Sequence, residues 1–326
     1  MTLYIRTQAS SHIGMGHFMR CFAIAEAARA RGMTVTFLLD VVDEAATSRL
    51  AEIGALGRAM RTAVAGPGDL EGVEFRPDDW LVIDSYAATA DYIAGLKGRV
   101  RTAVIDDLNA LPAYDCDLVI NPAMAAPCMG YAAKASGRLL LGAAYALIRR
   151  EFTRAYPPPA EGRSVAVMFG GADPGELTGR CTAMLHDSLP GAEIRVIAGP
   201  ANIHVAALAA LEKRLQNMRL YRSPPNLGEV LAGSELVITA AGGSVGEVAA
   251  LGLPAQVLVV YDNQVAALEA CPFPVIDCRQ GLPGDLGARV ATLLDDAGKR
   301  AAIAAAAQRL VDGKGTARII EAMTDV

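Results

Sequence analysis

The sequence near the amino terminus places a histidine where it could take part in acid–base chemistry. His17 follows the glycines Gly14 and Gly16, and this segment comes after a short apolar, β-favouring run at residues 3–5. Apolar residues then recur at helical spacing up to Gly32, which predicts a strand, a glycine-containing loop and a helix. The first N–H groups of such a helix can hold an anion, and a neutral imidazole beside them can accept a proton. The histidine could equally pack against the helix or cap it, so the loop alone leaves its role open.

Polar residues follow three further predicted strands, at the points where those strands end. Asp84 and Tyr86 follow the first of them, Asp106 and Asp107 the second, and Asn121 the third. The carboxyl ends of parallel strands share one edge of a sheet, where open α/β sheets bind their ligands. These groups are therefore candidates for the same site as the histidine. Each acid alone is also explained by capping of the helix that follows it.

Two glycine-containing loops follow predicted strands in the second half of the chain. Their residues are Gly170, Gly171 and Asp173 in the first loop and Gly242, Gly243, Ser244 and Glu247 in the second. The second loop opens a predicted helix and suits a phosphate group. Ser244 and Glu247 also fit a capping box, in which the glutamate turns back to the backbone instead of outward to a ribose. Asn263 and Gln264 close a later strand with amides that can bond sugar hydroxyl or acetamido groups.

Length and composition indicate an α/β protein with two domains and a small ligand. The chain has 326 residues, of which 52% are hydrophobic, and a formal net charge of −5 with dispersed basic residues, unlike a nucleic-acid-binding protein. A proline run at residues 157–159 predicts a linker. We therefore expect an N-terminal Rossmann-like domain at residues 1–150 and a second at 151–326, both doubly wound and facing a cleft.

The cysteines and the apolar runs predict a cytoplasmic protein. The six cysteines form no Cys-x-x-Cys pair and have no histidines at zinc spacing, which is typical of reduced thiols. The chain enters a predicted strand at once, without the pattern of a signal peptide, and its longest apolar stretch, residues 139–148, is too short to cross a bilayer. We expect a monomer with no metal or other cofactor and with neither nucleic acid nor membrane as a partner.

In this order, the motifs resemble the UDP-sugar hydrolases of pseudaminic acid biosynthesis. The resemblance is carried by Ser10-Ser11-x-Ile13-Gly14-x-Gly16-His17-x-x-Arg20-Cys21, Ile83-Asp84-x-Tyr86, Tyr145-x-Leu147-x-Arg149-x-Glu151-Phe152, Phe169-Gly170-Gly171-x-Asp173, Gly242-Gly243-Ser244, Glu247, Leu251-Gly252-x-Pro254 and Asn263-Gln264. Members of that family have a GT-B-like fold and resemble the glycosyltransferase that makes lipid II, but they use water as the acceptor. The resemblance implies metal-independent hydrolysis of UDP-2,4-diacetamido-2,4,6-trideoxy-β-L-altropyranose with inversion, giving UDP and the free sugar for flagellin glycosylation.

The resemblance also implies a role for each candidate residue. His17 would take a proton from the attacking water, with Asp84 as the second catalytic candidate, while Glu247 would hold the ribose. The leaving diphosphate would lie against the backbone of Gly242, Gly243 and Ser244. The other implied substrate contacts are Gly14, Gly16, Arg20, Tyr86, Arg149, Gly170, Gly171, Asp173, Asn263 and Gln264.

Three other functions remain open. A GT-B glycosyltransferase with a UDP-N-acetylhexosamine donor would need an acceptor surface, and no cluster of Lys and Arg marks one in the N-terminal half. A dinucleotide oxidoreductase would explain Gly14 and Gly16 after one strand and Asp40 at the end of the next, but the third glycine of that fingerprint is missing. A non-catalytic sensor of sugar nucleotides would keep the same binding loops.

Overall fold

The computed structural model describes most of the chain. The described residues are 1–8, 16–42, 44–157 and 162–325, with the backbone alone at positions 45 and 263. The chain divides into two compact units, Met1–Arg150 with Gly313–Val326, and Glu151–Asp312.

The first unit is built on a seven-stranded sheet. In chain order its elements are β1 (Thr2–Thr7), α1 (Gly16–Ala30), β2 (Thr34–Leu39), α2 (Glu44–Glu52), β3 (Leu56–Ala59), β4 (Trp80–Asp84), α3 (Ala90–Ala94), β5 (Arg101–Ile105), β6 (Leu118–Asn121) and β7 (Arg138–Leu141). The strand order is β3-β2-β1-β4-β5-β6-β7, and every neighbouring pair is parallel.

The second unit is built on a six-stranded sheet. Its elements are β8 (Ser164–Met168), α4 (Leu177–Ser188), β9 (Glu193–Ala198), α5 (Val205–Arg214), β10 (Met218–Arg222), α6 (Leu227–Ala232), β11 (Leu236–Ala240), α7 (Ser244–Ala250), β12 (Ala255–Val259), α8 (Ala267–Ala270), β13 (Val275–Asp277), α9 (Leu286–Asp295) and α10 (Ala297–Leu310). The order is β10-β9-β8-β11-β12-β13, again with every pair parallel.

The apolar character of the central strands explains why they occupy the middle of each sheet. Strands β4, β8 and β12 are buried along their whole length, as expected where helices cover both faces of a parallel sheet. Short 3₁₀ turns complete the two units at Ala126–Cys128, Tyr131–Ala133, Ala143–Tyr145, Arg150–Thr153 and Asp262–Gln264. Among the described residues, no helix combines the length and the apolarity needed to cross a membrane.

The last helix, α11 (Gly315–Thr324), belongs to the first unit. This differs from the predicted second domain, which extended to residue 326. Ile319 and Ile320 are fully buried in the core that α1 shares with β1, β2 and β4, and the indole N–H of Trp80 donates to the carbonyl of Met323 at 3.1 Å. A Cβ on Gly315 would collide with the backbone of Tyr145 and Ala146, at the end of the 3₁₀ turn Ala143–Tyr145. The apolar face of α11 is therefore covered by the first unit, although the helix comes last in the sequence.

Candidate active site

Each sheet has one point at which the direction of strand addition reverses. In the first sheet this switch point lies between β1 and β4, and in the second between β8 and β11. Open parallel sheets bind ligands outside the carboxyl ends of the strands that flank such a point. His17 and Arg20 lie in the helix that follows β1, and Asp84 is the last residue of β4. The predicted catalytic residues therefore come from both sides of the first switch point.

His17 and Asp84 form a direct hydrogen bond. The imidazole Nδ1 lies 2.7 Å from Asp84 Oδ1; the Asp84 side chain is fully buried and that of His17 is 15% exposed. Arg20 Nη2 also approaches Nδ1, at 3.2 Å, but the carboxylate contact is shorter and decides the tautomer. Because an ionised carboxylate can only accept, Nδ1 carries the proton and donates it. Nε2 is then the ring atom with a free lone pair.

The Asp84 carboxylate uses both oxygens to hold its neighbours. Oδ1 accepts from His17 and from Arg20 Nη2, the latter at 2.6 Å. Oδ2 accepts from Arg20 Nε at 2.6 Å and from the Cys21 thiol at 3.4 Å. Burial alone would raise the pKa of Asp84, but hydrogen bonds and charge from Arg20, with those of His17, lower it below its usual value. A buried, ionised carboxylate with four donors suits a residue that orients the imidazole rather than one that abstracts a proton.

Arg20 connects this pair to Asp107, one of the strand-end acids that the sequence places near the histidine but to which the resemblance assigns no role. Arg20 Nη1 lies 2.7 Å from Asp107 Oδ2, and the Tyr86 hydroxyl donates to the same oxygen at 3.0 Å. Burial, followed by the charge and hydrogen bond of Asp107, raises the pKa of Tyr86 to about 12, so its hydroxyl stays protonated at neutral pH. The tyrosine ring lies edge-on to the His17 imidazole, with ring centroids 4.9 Å apart. The sequence signal for Asp107 is its position two residues after β5, the neighbour of β4.

These five side chains, His17, Arg20, Asp84, Tyr86 and Asp107, are called the histidine cluster below. They carry one guanidinium against two carboxylates, so the cluster has a net negative charge when the imidazole is neutral. Such a charge disfavours an anion beside the imidazole. The anion that the sequence suggests for this helix start is therefore opposed by the charges around His17.

The remaining first-unit candidates are Gly14, Gly16 and Arg149. Gly14 lies outside the described residues. Gly16 begins α1, and no other described residue beyond its chain neighbours has a heavy atom within 4 Å of the position that its Cβ would take. Arg149 is partly exposed and directly precedes the 3₁₀ turn at Arg150–Thr153. Within the described ranges, no group of three or more His, Cys, Asp or Glu side chains is placed to hold a metal ion.

The two glycine loops of the second unit flank its switch point. Gly170 and Gly171 follow β8, while Gly242 and Gly243 follow β11. Gly170 adopts the left-handed region with φ of 76°, which favours glycine. At all four glycines, the described part of the chain, apart from the adjacent residues, places no heavy atom within 4 Å of the position that a Cβ would take. The backbone of both loops is thus open to close approach by a ligand.

Asp173 caps a helix and is not exposed to a ligand. Its side chain is buried, and its two oxygens accept the backbone N–H groups of Leu177 and Thr178, each at 2.9 Å. These are the first two residues of α4, whose N–H groups have no partner within the helix. The carboxylate that the resemblance assigns to the substrate is therefore occupied in capping α4.

The second loop does not form the capping box that the sequence allows. Gly243 is the N-cap of α7, and Ser244 is already the first helical residue, without a side-chain bond at the cap. Glu247 lies one turn into the helix, partly exposed. Gln264 accepts the N–H of Val260 through Oε1 at 3.0 Å, which leaves its amide nitrogen as the group that can reach a ligand. Asn263, described by its backbone alone, lies in the same 3₁₀ turn.

Sequence comparison gives a distant relative of unassigned function. No protein-family model matches the chain. The uncharacterized protein MJ1062 of Methanocaldococcus jannaschii is 23% identical over 281 residues, which cover 81% of this chain and 56% of the relative. The chain thus spans about half the length of the curated relative that it matches.

Comparison with solved structures gives whole-chain matches. MurG of Acinetobacter baumannii is 14% identical with a TM-score of 0.63, and the match covers 100% of both chains. Anabaena Alr3699/HepE, solved in complex with UDP-glucose, is 17% identical with a TM-score of 0.64 and the same coverage. A putative UDP-N-acetylglucosamine 2-epimerase from Listeria monocytogenes is 14% identical with a TM-score of 0.65, over 100% of this chain and 98% of its own. At these identities the likeness is one of fold, and the chain has an α/β, GT-B-like fold with two doubly wound Rossmann-like domains.

Proposed function

We propose that the chain is an enzyme that breaks the anomeric C–O bond of a UDP-sugar, with His17 as the general base. The observation that carries the proposal is the 2.7 Å hydrogen bond from Nδ1 to Asp84. It leaves Nε2 as a proton acceptor, held in one orientation by a buried carboxylate. A positioned imidazole of this kind is the commonest general base in enzymes.

The first unit supplies the chemistry at the sugar. His17 Nε2 removes the proton of the attacking O–H while that oxygen bonds to the anomeric carbon. The bond from this carbon to the diphosphate oxygen breaks at the same time, and its electron pair leaves with UDP. The imidazolium that forms is stabilised by Asp84. Because glycosyl transfer develops positive charge at the sugar, the net negative charge of the histidine cluster lowers the energy of the transition state.

The second unit binds the nucleotide. The loops at Gly170-Gly171 and Gly242-Gly243 flank its switch point, and the unfilled space at their glycines allows a diphosphate to approach the backbone N–H groups. Glu247 bonds the ribose, with Asn263 and Gln264 near the sugar or the phosphates. The UDP-glucose named for the structurally similar HepE supports a uridine nucleotide as the ligand.

The substrate in this proposal is UDP-2,4-diacetamido-2,4,6-trideoxy-β-L-altropyranose, and the acceptor is water. The support is the order of the motifs, which resembles the hydrolases of pseudaminic acid biosynthesis. The products are UDP and the free 2,4-diacetamido sugar, with inversion at the anomeric carbon. The proposal takes the enzyme as a metal-independent monomer in the cytoplasm.

A GT-B glycosyltransferase is the second candidate function. The observation in its favour is a set of three large side chains with apolar surface that are more than half exposed. They follow the carboxyl ends of strands in the same sheet as β1, after which His17 lies: Val41 follows β2, Tyr86 follows β4 and Leu108 follows β5. Single exposed apolar residues are common on protein surfaces, but an acceptor with an apolar group could bind them. Water as the acceptor would leave Val41 and Leu108 without a role.

Hydrolysis in ¹⁸O-labelled water separates the two functions. The expected products are unlabelled UDP and a free sugar that carries one ¹⁸O atom at the anomeric carbon, measured by mass spectrometry without any added acceptor. Label in the UDP would mean cleavage of the P–O bond and would contradict the proposed chemistry. UDP release that starts only when an alcohol acceptor is added would favour the glycosyltransferase.

A further inference from the structure

We propose that Asp107 determines which sugars are accepted, because its Oδ1 receives a hydrogen bond from an N–H or O–H group of the glycosyl unit. This inference rests on the proposed function and concerns the same site. It assigns to Asp107 a specificity role that is separate from the contacts it makes within the protein.

The two oxygens of Asp107 have different surroundings. Oδ2 accepts from Arg20 Nη1 and from the Tyr86 hydroxyl. Oδ1 has no hydrogen-bond partner in the part of the chain that the structure describes. The side chain is 26% exposed, whereas that of Asp84 is fully buried. Of the two carboxylates in the histidine cluster, Asp107 is the one that a ligand can reach.

The direction of the free oxygen is set by the protein. Arg20 is itself held by two hydrogen bonds to Asp84, and Tyr86 packs edge-on against His17. Two donors fixed in this way hold Oδ2, and the planar carboxylate then leaves Oδ1 little freedom. A preorganised acceptor therefore lies in the same cluster as the proposed base.

A fixed carboxylate oxygen discriminates strongly between ligands. It forms a charge-assisted hydrogen bond with a ligand donor, and it is left without a partner when the ligand lacks that donor. Sites built to bond a substrate O–H or N–H reject the analogue without it far more than an apolar pocket rejects a missing methylene group. The glycosyl unit selected by Asp107 is therefore one that presents an N–H or O–H donor to Oδ1.

The proposed substrate offers three such donors on its sugar ring. They are the N–H groups of the 2- and 4-acetamido substituents and the 3-hydroxyl. Three analogues, the 2-N-methyl, the 4-N-methyl and the 3-deoxy compound, each remove one of them. The experiment measures kcat/KM for the parent and the three analogues with the wild type and with Asp107→Asn.

For each enzyme, the penalty of an analogue is the ratio of kcat/KM for the parent to kcat/KM for that analogue. We expect one analogue to have a penalty at least about tenfold larger with the wild type than with Asp107→Asn. Asp115→Asn is the matched control, because Asp115 also accepts two side-chain hydrogen bonds, from Lys97 and Ser136. It should rank the analogues as the wild type does. Tyr86→Phe removes one bond to Oδ2 but leaves Oδ1 in place, so it should change the overall rate and keep the ranking. If Asp107→Asn does not fold, Asp107→Glu keeps the charge for Arg20 and takes its place.

The outcomes separate this inference from the proposed function. Hydrolysis of the parent with equal analogue penalties in the wild type and the Asp107 variant would overturn the specificity role and leave the hydrolase in place. If the wild type does not hydrolyse the parent, the proposed function is wrong, and calorimetric affinities of the same four compounds then decide on Asp107. The inference would also be overturned if removal of a donor from the ligand weakened binding equally in the wild type and the Asp107 variant, or if the parent did not bind at all.

Discussion

The Nδ1 atom of His17 lies 2.7 Å from Oδ1 of Asp84, across the switch point of the first sheet. His17 lies in the first turn of a helix and Asp84 ends a strand, so the bond joins two residues that are 67 positions apart in the chain. The contact specifies the proton on Nδ1 and frees Nε2. The catalytic role proposed for His17 therefore depends on Asp84 as much as on the glycine loop before it.

Replacement of His17 by asparagine tests the base directly. His17→Asn keeps a polar side chain but removes the imidazole lone pair, and loss of a general base costs about a hundredfold to ten-thousandfold in rate. UDP affinity, measured by calorimetry, should not change, because the nucleotide is assigned to the second unit. Near-normal turnover in a folded variant would show that His17 is only structural.

Asp84→Asn should lower kcat while the protein remains folded. An asparagine amide can donate to Nδ1, which would place the ring proton on Nε2 and block the base, and it cannot stabilise the imidazolium. We expect a loss of about a hundredfold or more in kcat, with a smaller change in KM. The control is Asp115→Asn, because Asp115 is a partly exposed acid paired with Lys97. A variant that retains kcat would remove Asp84 from the mechanism.

Asp84 should also make the first unit sensitive to acid. Its pKa is lowered in the folded protein, so the carboxylate stabilises the fold above its unfolded pKa of roughly 3.9. That stabilisation is lost as pH falls from there through the folded pKa. Trp80, the only tryptophan of the chain, is buried in the first unit, and its fluorescence reports unfolding in urea between pH 6 and pH 2.5. Asp84→Asn should show a shallower fall below pH 4, and identical slopes would contradict the assignment.

Gly243→Ala tests the diphosphate site with little risk to the fold. Gly243 has ordinary helical angles, with φ of −55° and ψ of −29°, and its missing Cβ faces open space. The added methyl group should therefore leave the melting temperature unchanged but occupy ligand space and weaken UDP binding by about tenfold. Gly284→Ala adds a methyl group at another open position of the second unit and should bind UDP normally. Equal affinities for the two variants would place the diphosphate elsewhere.

Glu247→Gln tests the ribose contact. If Glu247 bonds a ribose hydroxyl through its carboxylate, the neutral amide should weaken UDP binding by about 1–3 kcal/mol. 2′,3′-Dideoxyuridine diphosphate, which lacks both ribose hydroxyls, should bind the variant and the wild type equally. A variant with a lower melting temperature and unchanged UDP affinity would show that Glu247 serves only the helix.

The sequence alone was sufficient for the fold and for the position of His17. Alternating apolar runs and helical patterns predict two doubly wound α/β halves, and this prediction is confirmed by the two parallel sheets. These are properties of short segments, because burial of a parallel strand and the start of a helix are encoded within a few residues. The glycine loops between strands and helices in both halves are also visible in short stretches of sequence.

Tertiary structure decided what the polar groups do. Asp107 and Asp173 both follow strands, yet one joins Arg20 across 87 positions and the other caps the next helix. The helix α11 buries its apolar face in the first unit, with the Trp80 bond spanning 243 positions. A local pattern specifies that an acid stands at a sheet edge or that a helix has an apolar face. Which partner satisfies it depends on strand order and on the surface left uncovered, because a buried carboxylate or an apolar face is stabilised only by the groups that the whole fold brings to it.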